Sequence, residues 1–317
     1  MTMESFAGKL AVVTGGGSGM GRELVLRLAA EGCSVACCDL DDRAAETAAA
    51  AVAAAPPGTR VTAHACDVSD EAQVLRFRDE VARAHPGVPL NLVFNNAGIG
   101  GAGSFVEDSR EMWERVFAID WWGVYYCTRA FLPLLMAADE GVLVNTSSMN
   151  AFYPSHGVGR PLTAYGSAKA AVKAFSEALI DDLAEHAPHV RVAVVMPGHI
   201  GTDFFANSRR AHGEPDPATM SAAELDDMRP ILKKYGVADD ATTEELRAFM
   251  LRPNELFREM APVTAAQAAG IILDAVRAGR WRILVGADAA DLDARVRADP
   301  DGMFYAKAEP VTASTAA

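Results

Sequence analysis

Tyr165 and Lys169 stand four residues apart in Tyr165-Gly-Ser-Ala-Lys169, a spacing that puts both side chains on one face of a helix. A free phenol titrates near about 10, too high for an efficient base at neutral pH, and an ammonium a few ångströms away favours the phenolate. Of the six tyrosines, only Tyr165 is followed by a lysine at this spacing. A helical Tyr/Lys pair alone is usually a solvated face, so its weight depends on the rest of the chain. The chemistry it points to is proton transfer by the phenol.

A second pattern supplies a partner for that chemistry. Thr14-Gly15-Gly16-Gly17-Ser18-Gly19-Met20-Gly21 follows an apolar run and precedes helix formers from Arg22 to Ala30. A glycine-rich turn between a first strand and a first helix exposes N–H groups at the positive helix end, which suits a pyrophosphate. The spacing is Gly-x3-Gly-x-Gly rather than Gly-x-Gly-x2-Gly. Gly15, Ser18, Gly19, Met20 and Gly21 are therefore expected at a dinucleotide. Asp39, with Leu40 beside it, ends the second strand, where a carboxylate accepts from both ribose hydroxyls and repels a 2′-phosphate. NAD is favoured over NADP on that ground. No lysine or arginine occupies the turn; Arg22 lies beyond it and Arg43 four residues past Asp39. By similar logic Asp67 could pair with the adenine amino group. Asn95-Asn96-Ala97-Gly98 closes a fourth strand with small residues that let a nucleotide approach.

These residues need a frame. Apolar runs at Leu10–Thr14, Val35–Asp39, Val61–Asp67, Leu90–Asn95, Val142–Ser147, Val190–Met196 and Ile283–Val285 read as strands. Helix-length stretches lie between most of them: Gly21–Ala30, Ala44–Ala55, Glu71–Ala84, Met112–Met136 and Tyr165–Glu185. Continuously apolar strands alternating with amphipathic helices mean parallel βαβ units buried on both faces. The expected fold class is α/β, a doubly wound parallel (Rossmann) sheet of about seven strands with helices on both faces, forming a single domain over 1–317. The alternation breaks between Asp203 and Pro262. Residues 204–262 read equally as a small helical layer or a lid over a substrate pocket. Thr264-x-x-Gln267 is a capping box opening the last core helix, and 307–317 reads as a disordered tail.

Composition narrows the partners. The formal net charge of −13 argues against nucleic acid and anionic membranes. No signal-like N-terminus or membrane-length apolar run is found, so a cytoplasmic location is expected. The five cysteines, Cys33, Cys37, Cys38, Cys66 and Cys127, are odd in number and lack metal-ligand spacing with histidine. They read as buried free thiols in a reducing compartment, with no metal.

Taken in order, Thr14-Gly-x3-Gly-x-Gly21, Asn95-Asn-Ala-Gly98, Tyr165-x3-Lys169 and Pro197-Gly198 closely resemble the short-chain dehydrogenase/reductase family, over roughly Phe6 to Asp203 and again from Thr264 to about Gly286. The resemblance implies a catalytic Ser148 that hydrogen-bonds the substrate oxygen, with Ser147 as a weaker candidate. It implies that Tyr165 exchanges the alcohol proton, and that Lys169 lowers its pKa and holds the nicotinamide ribose. Pro197, Gly198, Ile200 and Thr202 would hold the nicotinamide, while Asp39, Asp67 with Val68, and Asn95, Ala97 and Gly98 would line the adenosine half. Substrate contacts are expected from Ser148, Asn150, Tyr165 and His199, with His156 a further pocket-lining possibility. Asp120 stands where the family usually has a catalytic asparagine. A carboxylate there would favour the charged form of Lys169 and alter the pH profile. The stretch from Ser148 to Tyr165 is also longer than usual by about four residues, and Phe152, Tyr153, Pro154, His156, Gly157 and Gly159 are expected beside the pocket mouth.

The function implied is hydride transfer between NAD(H) and a secondary alcohol or ketone, apolar and bulky, cyclic or steroid-like. A 3-oxoacyl-type ketoreductase is an alternative of the same class. A non-catalytic NAD-binding regulator and an isomerase or dehydratase using NAD transiently are alternatives of other classes. A homo-oligomer, dimer or tetramer, is expected, with Trp121 and Trp122 at the contact or in the core.

Overall fold

The computed structural model describes residues 3–156, 160–233 and 236–305. The tail at 307–317, and Gly157 and Gly159, lie outside the described residues. The first half runs β1 (Leu10–Thr14), α1 (Gly19–Ala30), β2 (Ser34–Asp39), α2 (Arg43–Ala54), β3 (Val61–Ala65), α3 (Glu71–Ala84) and β4 (Leu90–Asn95). Then come α4 (Arg110–Phe117), α5 (Gly123–Met136), β5 (Gly141–Thr146), α6 (Thr163–His186) and β6 (Val190–Pro197). After the two-residue β7 (Ile200–Gly201) follow α7 (Phe204–Ala211), α8 (Ala222–Lys233), α9 (Thr243–Glu259) and β8 (Val263–Thr264). The chain finishes with α10 (Ala265–Arg277), β9 (Arg282–Val285), α11 (Ala287–Ala298) and α12 (Pro300–Tyr305).

Seven strands form one sheet in the order β3-β2-β1-β4-β5-β6-β9, and every pairing is parallel. Successive residues of a strand face opposite layers. Val13, Val35 and Val195 pack with Leu24 and Leu28 of α1, Ala48 of α2 and Ile272 of α10. Val12, Val93 and Leu143 pack with Phe77 of α3, Phe131 of α5 and Leu183 of α6. The strand order reverses between β1 and β4, so a crevice opens at their carboxyl ends, the usual ligand position in such sheets.

One feature departs from the sequence expectation. The stretch Met112–Met136 is not one regular helix: Ala118–Trp122 forms a π-helical turn between α4 and α5. Such a turn inserts one residue without interrupting the apolar stripe, so periodicity does not reveal it. The segment 204–262 is three helices with a small core of its own, including Met220, Leu225, Leu246 and Met250. Its stem is pinned where β7 pairs with β8, Ile200 against Val263 and Gly201 against Thr264.

Candidate active site

A cavity of about 760 Å³ lies along the carboxyl ends of the strands, with the glycine-rich turn at one end and Tyr165 at the other. The turn is built by packing. Gly15 has a φ of +66°, which favours glycine. A Cβ on Gly21 would sit 2.0 Å from the Gly15 carbonyl oxygen, so α1 can approach the turn only without a side chain there. Gly15, Ser18, Gly19 and Met20 line the cavity, whereas Gly21 is buried behind it. That corrects the expectation for Gly21, which makes room rather than contact. Ser18 is the N-cap residue of α1, yet its side chain makes no capping hydrogen bond. The first N–H groups of α1 therefore carry no side-chain cap and stay available to an anion.

Asp39 and Leu40 line the same end. The Gly17 N–H donates to Asp39 Oδ2 at 2.9 Å and the Leu40 N–H to Oδ1 at 2.8 Å, leaving each oxygen a further lone pair. Asp67 and Val68 also line the cavity, and the Asp67 carboxylate has three donors around it. Its Oδ1 accepts from the Ser69 N–H and hydroxyl at 2.9 and 2.6 Å, and its Oδ2 from Arg115 at 3.0 Å. Against the cost of burial, these partners hold it below the usual carboxylate range. Among the described residues Oδ2 accepts from Arg115 alone and keeps a further lone pair.

The Asn95–Gly98 turn also divides. Ala97 and Gly98 line the cavity. Asn95 does not: it is buried and its Nδ2 donates to Thr128 Oγ1 at 3.1 Å and Asn145 Oδ1 at 2.9 Å, tying β4 to β5. As the last residue of β4, its side chain points into a helical layer instead of the crevice. Asn96 stitches the turn to β1 through the Thr14 carbonyl at 3.1 Å.

At the other end, Ser148, Tyr165 and Lys169 line one wall. The neighbouring serines differ in their partners. The Ser147 hydroxyl donates to the Lys169 carbonyl at 2.6 Å and so braces α6, while Ser148 faces the cavity. The Asn150 N–H donates to Ser148 Oγ at 3.1 Å, and the Asn150 side chain donates to the Tyr153 carbonyl at 3.2 Å. Asn150 thus orients the serine from within the cavity wall.

Lys169 is almost wholly buried, its Nζ donating to the Thr146 carbonyl at 3.1 Å and lying 3.4 Å from Asp120 Oδ2. The π turn delivers Asp120, fully buried, to this position, where its Oδ1 accepts from the Ile99 N–H at 2.8 Å. Burial pushes the Asp120 carboxyl up, against the pull of the Lys169 ammonium. Lys169 Nζ is 5.8 Å from the Tyr165 ring centre. The Tyr165 phenol is nonetheless raised above its ordinary value, first by burial and then by the Asp120 carboxylate, with Ser148 pulling the other way. Burial is the larger cause of that direction, and the Asp120 carboxylate adds to it.

Pro197, Gly198, Ile200 and Thr202 line the cavity beyond Tyr165. His199 does too, but its ring is occupied: Nε2 meets the Phe257 carbonyl and the two rings lie 4.2 Å apart. Its N–H donates to Asp288 at 2.6 Å. It joins β6 to α9 rather than waiting for a substrate. His156 also lines the cavity.

A profile of the short chain dehydrogenase family matches residues 9–213, most of the chain. The chain belongs to the short-chain dehydrogenase/reductase family. As a family member it is a dehydrogenase/reductase built to bind a nicotinamide dinucleotide. A candidate oxidoreductase, SadH, of Mycobacterium tuberculosis is 38% identical over 213 residues, 67% of this chain and 74% of its own. The 2,5-dichloro-2,5-cyclohexadiene-1,4-diol dehydrogenase LinX of Sphingobium indicum is 32% identical over 201 residues, 63% of this chain and 76% of its own. A short-chain dehydrogenase/reductase from Burkholderia phymatum in complex with NAD superposes with a TM-score of 0.74 at 25% identity, covering 96% of this chain and 97% of that one. A metagenomic short-chain oxidoreductase in complex with NADP does so at 0.54 and 29% identity, covering 61% and 83%.

Several lining residues lie outside the family motifs. Phe204, Phe205, Asn207 and Arg210 of α7 and Phe257 of α9 all reach this short-chain dehydrogenase/reductase's cavity. The Phe204-Phe205 pair directly after Asp203 was a readable signal; Asn207 and Arg210 carried none. Among the described residues no group of three or more histidine, cysteine or carboxylate side chains is placed to hold a metal, and no helix is long and apolar enough to cross a membrane. The five cysteines are all buried and free, with burial pushing the Cys33 and Cys37 thiols up to about 12.

Proposed function

We propose that the protein moves a hydride between NAD(H) and the carbinol or carbonyl carbon of an apolar, bulky secondary alcohol or ketone, cyclic or steroid-like. The observation that carries this reading is one cavity with Ser148, Tyr165 and Lys169 at one end and the Gly15–Met20 turn with Asp39 at the other. The donors fit a dinucleotide: uncapped N–H groups of α1 for a diphosphate, and spare lone pairs on Asp39 for ribose hydroxyls. The same carboxylate disfavours a 2′-phosphate, which is the ground for NAD over NADP.

Bound nicotinamide would supply the hydride acceptor or donor. In oxidation, Tyr165 as phenolate takes the substrate hydroxyl proton while Ser148 donates a hydrogen bond to the same oxygen. Asn150 holds Ser148, and Lys169 stabilises the phenolate and would hold the nicotinamide ribose. In reduction, Tyr165 returns the proton. Positioned acid/base help of this kind is worth about 10²–10⁴-fold. Pro197, Gly198, Ile200 and Thr202 would hold the nicotinamide itself.

The substrate end favours rings. Phe204 lies edge-on to Tyr165 at 6.0 Å, and Phe205 and Phe257 meet at 4.7 Å. Met149 and Leu162 complete an apolar wall. The cyclic diol in the name of LinX supports the same class. A homo-oligomer in the cytoplasm completes the reading. Its contact would be the ring cluster of Trp121, Trp122, Tyr125 and Tyr126, where Trp122 is 44% exposed.

The test is a panel of cyclic, acyclic and polyol substrates with NAD and NADP in parallel, on wild type and Tyr165→Phe. Cyclic secondary alcohols should reduce NAD, and Tyr165→Phe should lose at least about 10²-fold of that rate while still binding NADH. Turnover confined to small polyols, or to NADP, would sink the reading. The Asp120–Lys169 pair favours one second reading, a cofactor-binding regulator without turnover; NADH binding with no substrate oxidised across the panel would support it.

A further inference from the structure

The first helix of the 204–262 segment is fastened at the end of the cavity away from the substrate. Asn207 of α7 donates from Nδ2 to Ser18 Oγ at 3.0 Å. Its Oδ1 accepts from Arg43 Nη1 at 2.7 Å and from Arg210 Nη1 at 3.0 Å. Ser18 belongs to the glycine-rich turn, and Arg43 opens α2 just past Asp39. The Ser18 hydroxyl is thereby drawn to α7 instead of capping α1, which leaves the helix N–H groups to an incoming anion. All four side chains of this bridge line the cavity.

The two guanidinium groups differ in their counter-ions. Arg43 is held by Asp41, its Nε lying 2.9 and 3.0 Å from the two carboxylate oxygens. Arg210 has no carboxylate within ion-pair distance among the described residues; its one hydrogen bond is to the neutral Asn207 amide. Its charge reaches Asp41 only at longer range, adding to the lowering that Arg43 causes there against the effect of burial. A cation without a close counter-ion, lining the same cavity as a turn that presents bare N–H groups, is half of an anion site.

We infer that Arg210 and Asn207 extend the dinucleotide site onto the 204–262 segment, Arg210 binding the cofactor's diphosphate from the side opposite α1 and Asn207 positioning it. This rests on the dinucleotide reading of the cavity. Its consequence is that the wall of the substrate pocket and the grip on the cofactor are one element.

Equilibrium titration of NADH, ADP-ribose and NADPH at two ionic strengths tests it, on wild type, Arg210→Met and Asn207→Ala. Arg210 is exposed, so its replacement leaves the fold and the thermal midpoint intact. Arg210→Met should raise the Kd of NADH and ADP-ribose alike by about tenfold, the loss of one charge-assisted contact. It should also flatten the salt dependence of binding, which a merely structural role would not do. Asn207→Ala should weaken both ligands less and keep most of the salt dependence. Unchanged affinities, a loss for NADH but not ADP-ribose, or a loss confined to NADPH would each overturn the assignment; the last would give the guanidinium groups to a 2′-phosphate. Wild type that binds no dinucleotide would bring down the cavity reading and this inference together, whereas tight wild-type binding with unaffected variants would remove this inference alone.

Discussion

Asp120→Asn isolates the one charge that sets this site apart. The replacement keeps the shape and the acceptor for the Ile99 N–H, now 2.8 Å away, and removes only the negative charge beside Lys169. A unit charge 5.8 Å from the phenol ring, the distance of Lys169 Nζ, acting through an effective dielectric near 20 is worth about 3 kcal/mol. Asp120 cancels much of this in the wild type, since it lies 3.4 Å from the same ammonium and itself pushes the phenol up. Recovering between a half and the whole of that energy favours the phenolate by about ten- to a hundredfold. The phenolate is the base in alcohol oxidation, so log kcat/KM rises with pH until the phenol is titrated. With a lower phenol pKa that limb moves to lower pH. At a fixed pH on the limb, Asp120→Asn should therefore oxidise substrate about tenfold faster or more, with the pH-independent plateau little changed. For ketone reduction the phenol is the acid, and the high-pH loss of rate should begin earlier by the same amount. Initial rates between pH 6 and 10 in both directions, on the range about which free phenols titrate, decide the matter. Coincident wild-type and variant profiles would mean that Asp120 is neutral in the resting enzyme and that the electrostatic argument is wrong.

Three further outcomes follow from the same geometry. Lys169→Met strands a fully buried carboxylate and should cost about 3–5 kcal/mol of stability; in an Asp120→Asn background the cost should fall by more than half, and equal costs by chemical denaturation would refute the pairing. Gly21→Ala places a methyl 2.0 Å from the Gly15 carbonyl, and overpacking of about 1–3 kcal/mol at the cradle should raise the NADH Kd by roughly tenfold or more, with retained affinity counting against this turn as the diphosphate site. Burial, aided by the Arg60 and His64 charges, pushes His85 down to about 4. The unfolded chain takes up that proton near about 6.5 and the folded one does not, so stability is lost as pH falls from about 6.5 toward 4. Unfolding midpoints at pH 7 and pH 4.5 should diverge less in His85→Asn, and an unchanged pH dependence would show that His85 is not the group responsible.

The sheet and the motif residues were legible because they obey local rules. Strands buried on both faces are continuous apolar runs, and β1 and β4 fall at the boundaries read from them. Ser148, Tyr165 and Lys169 share the cavity because the carboxyl ends of β5 and the start of α6 converge there. The failures have physical reasons. Asn95 and Asn96 are adjacent, but strand alternation turns one into the helical layer and the other toward β1. Arg115, far away in sequence, gives Asp67 a charged partner that the motif does not announce. The π turn leaves the apolar stripe intact and is silent in periodicity. The Arg43–Asn207 contact joins elements on opposite sides of the crevice, and neither residue type carries a signature. That Asp120 would meet Lys169 was foreseeable from its position in the motif; that burial would push the Tyr165 phenol up was not, because sequence does not state burial.

The 204–262 segment holds the site at three places that a substrate wall alone would not need. Asn207 ties it to the glycine-rich turn. Ser208 accepts from the Gly100 N–H at 2.8 Å, and His212 meets the Gly100 carbonyl at 2.9 Å, just past the β4 turn. The His199 ring bonds Phe257 at the substrate end. The middle tie touches the catalytic pair indirectly: Gly100 neighbours Ile99, whose N–H holds Asp120, and the His212 charge bears on that carboxylate as well. Displacing α7 would therefore disturb the cofactor turn, the Asp120–Lys169 pair and the aromatic pocket at once. Exchanging the excursion as an independent module should therefore weaken dinucleotide binding along with any change in substrate choice, because the same eight-residue helix is tied to the glycine-rich turn.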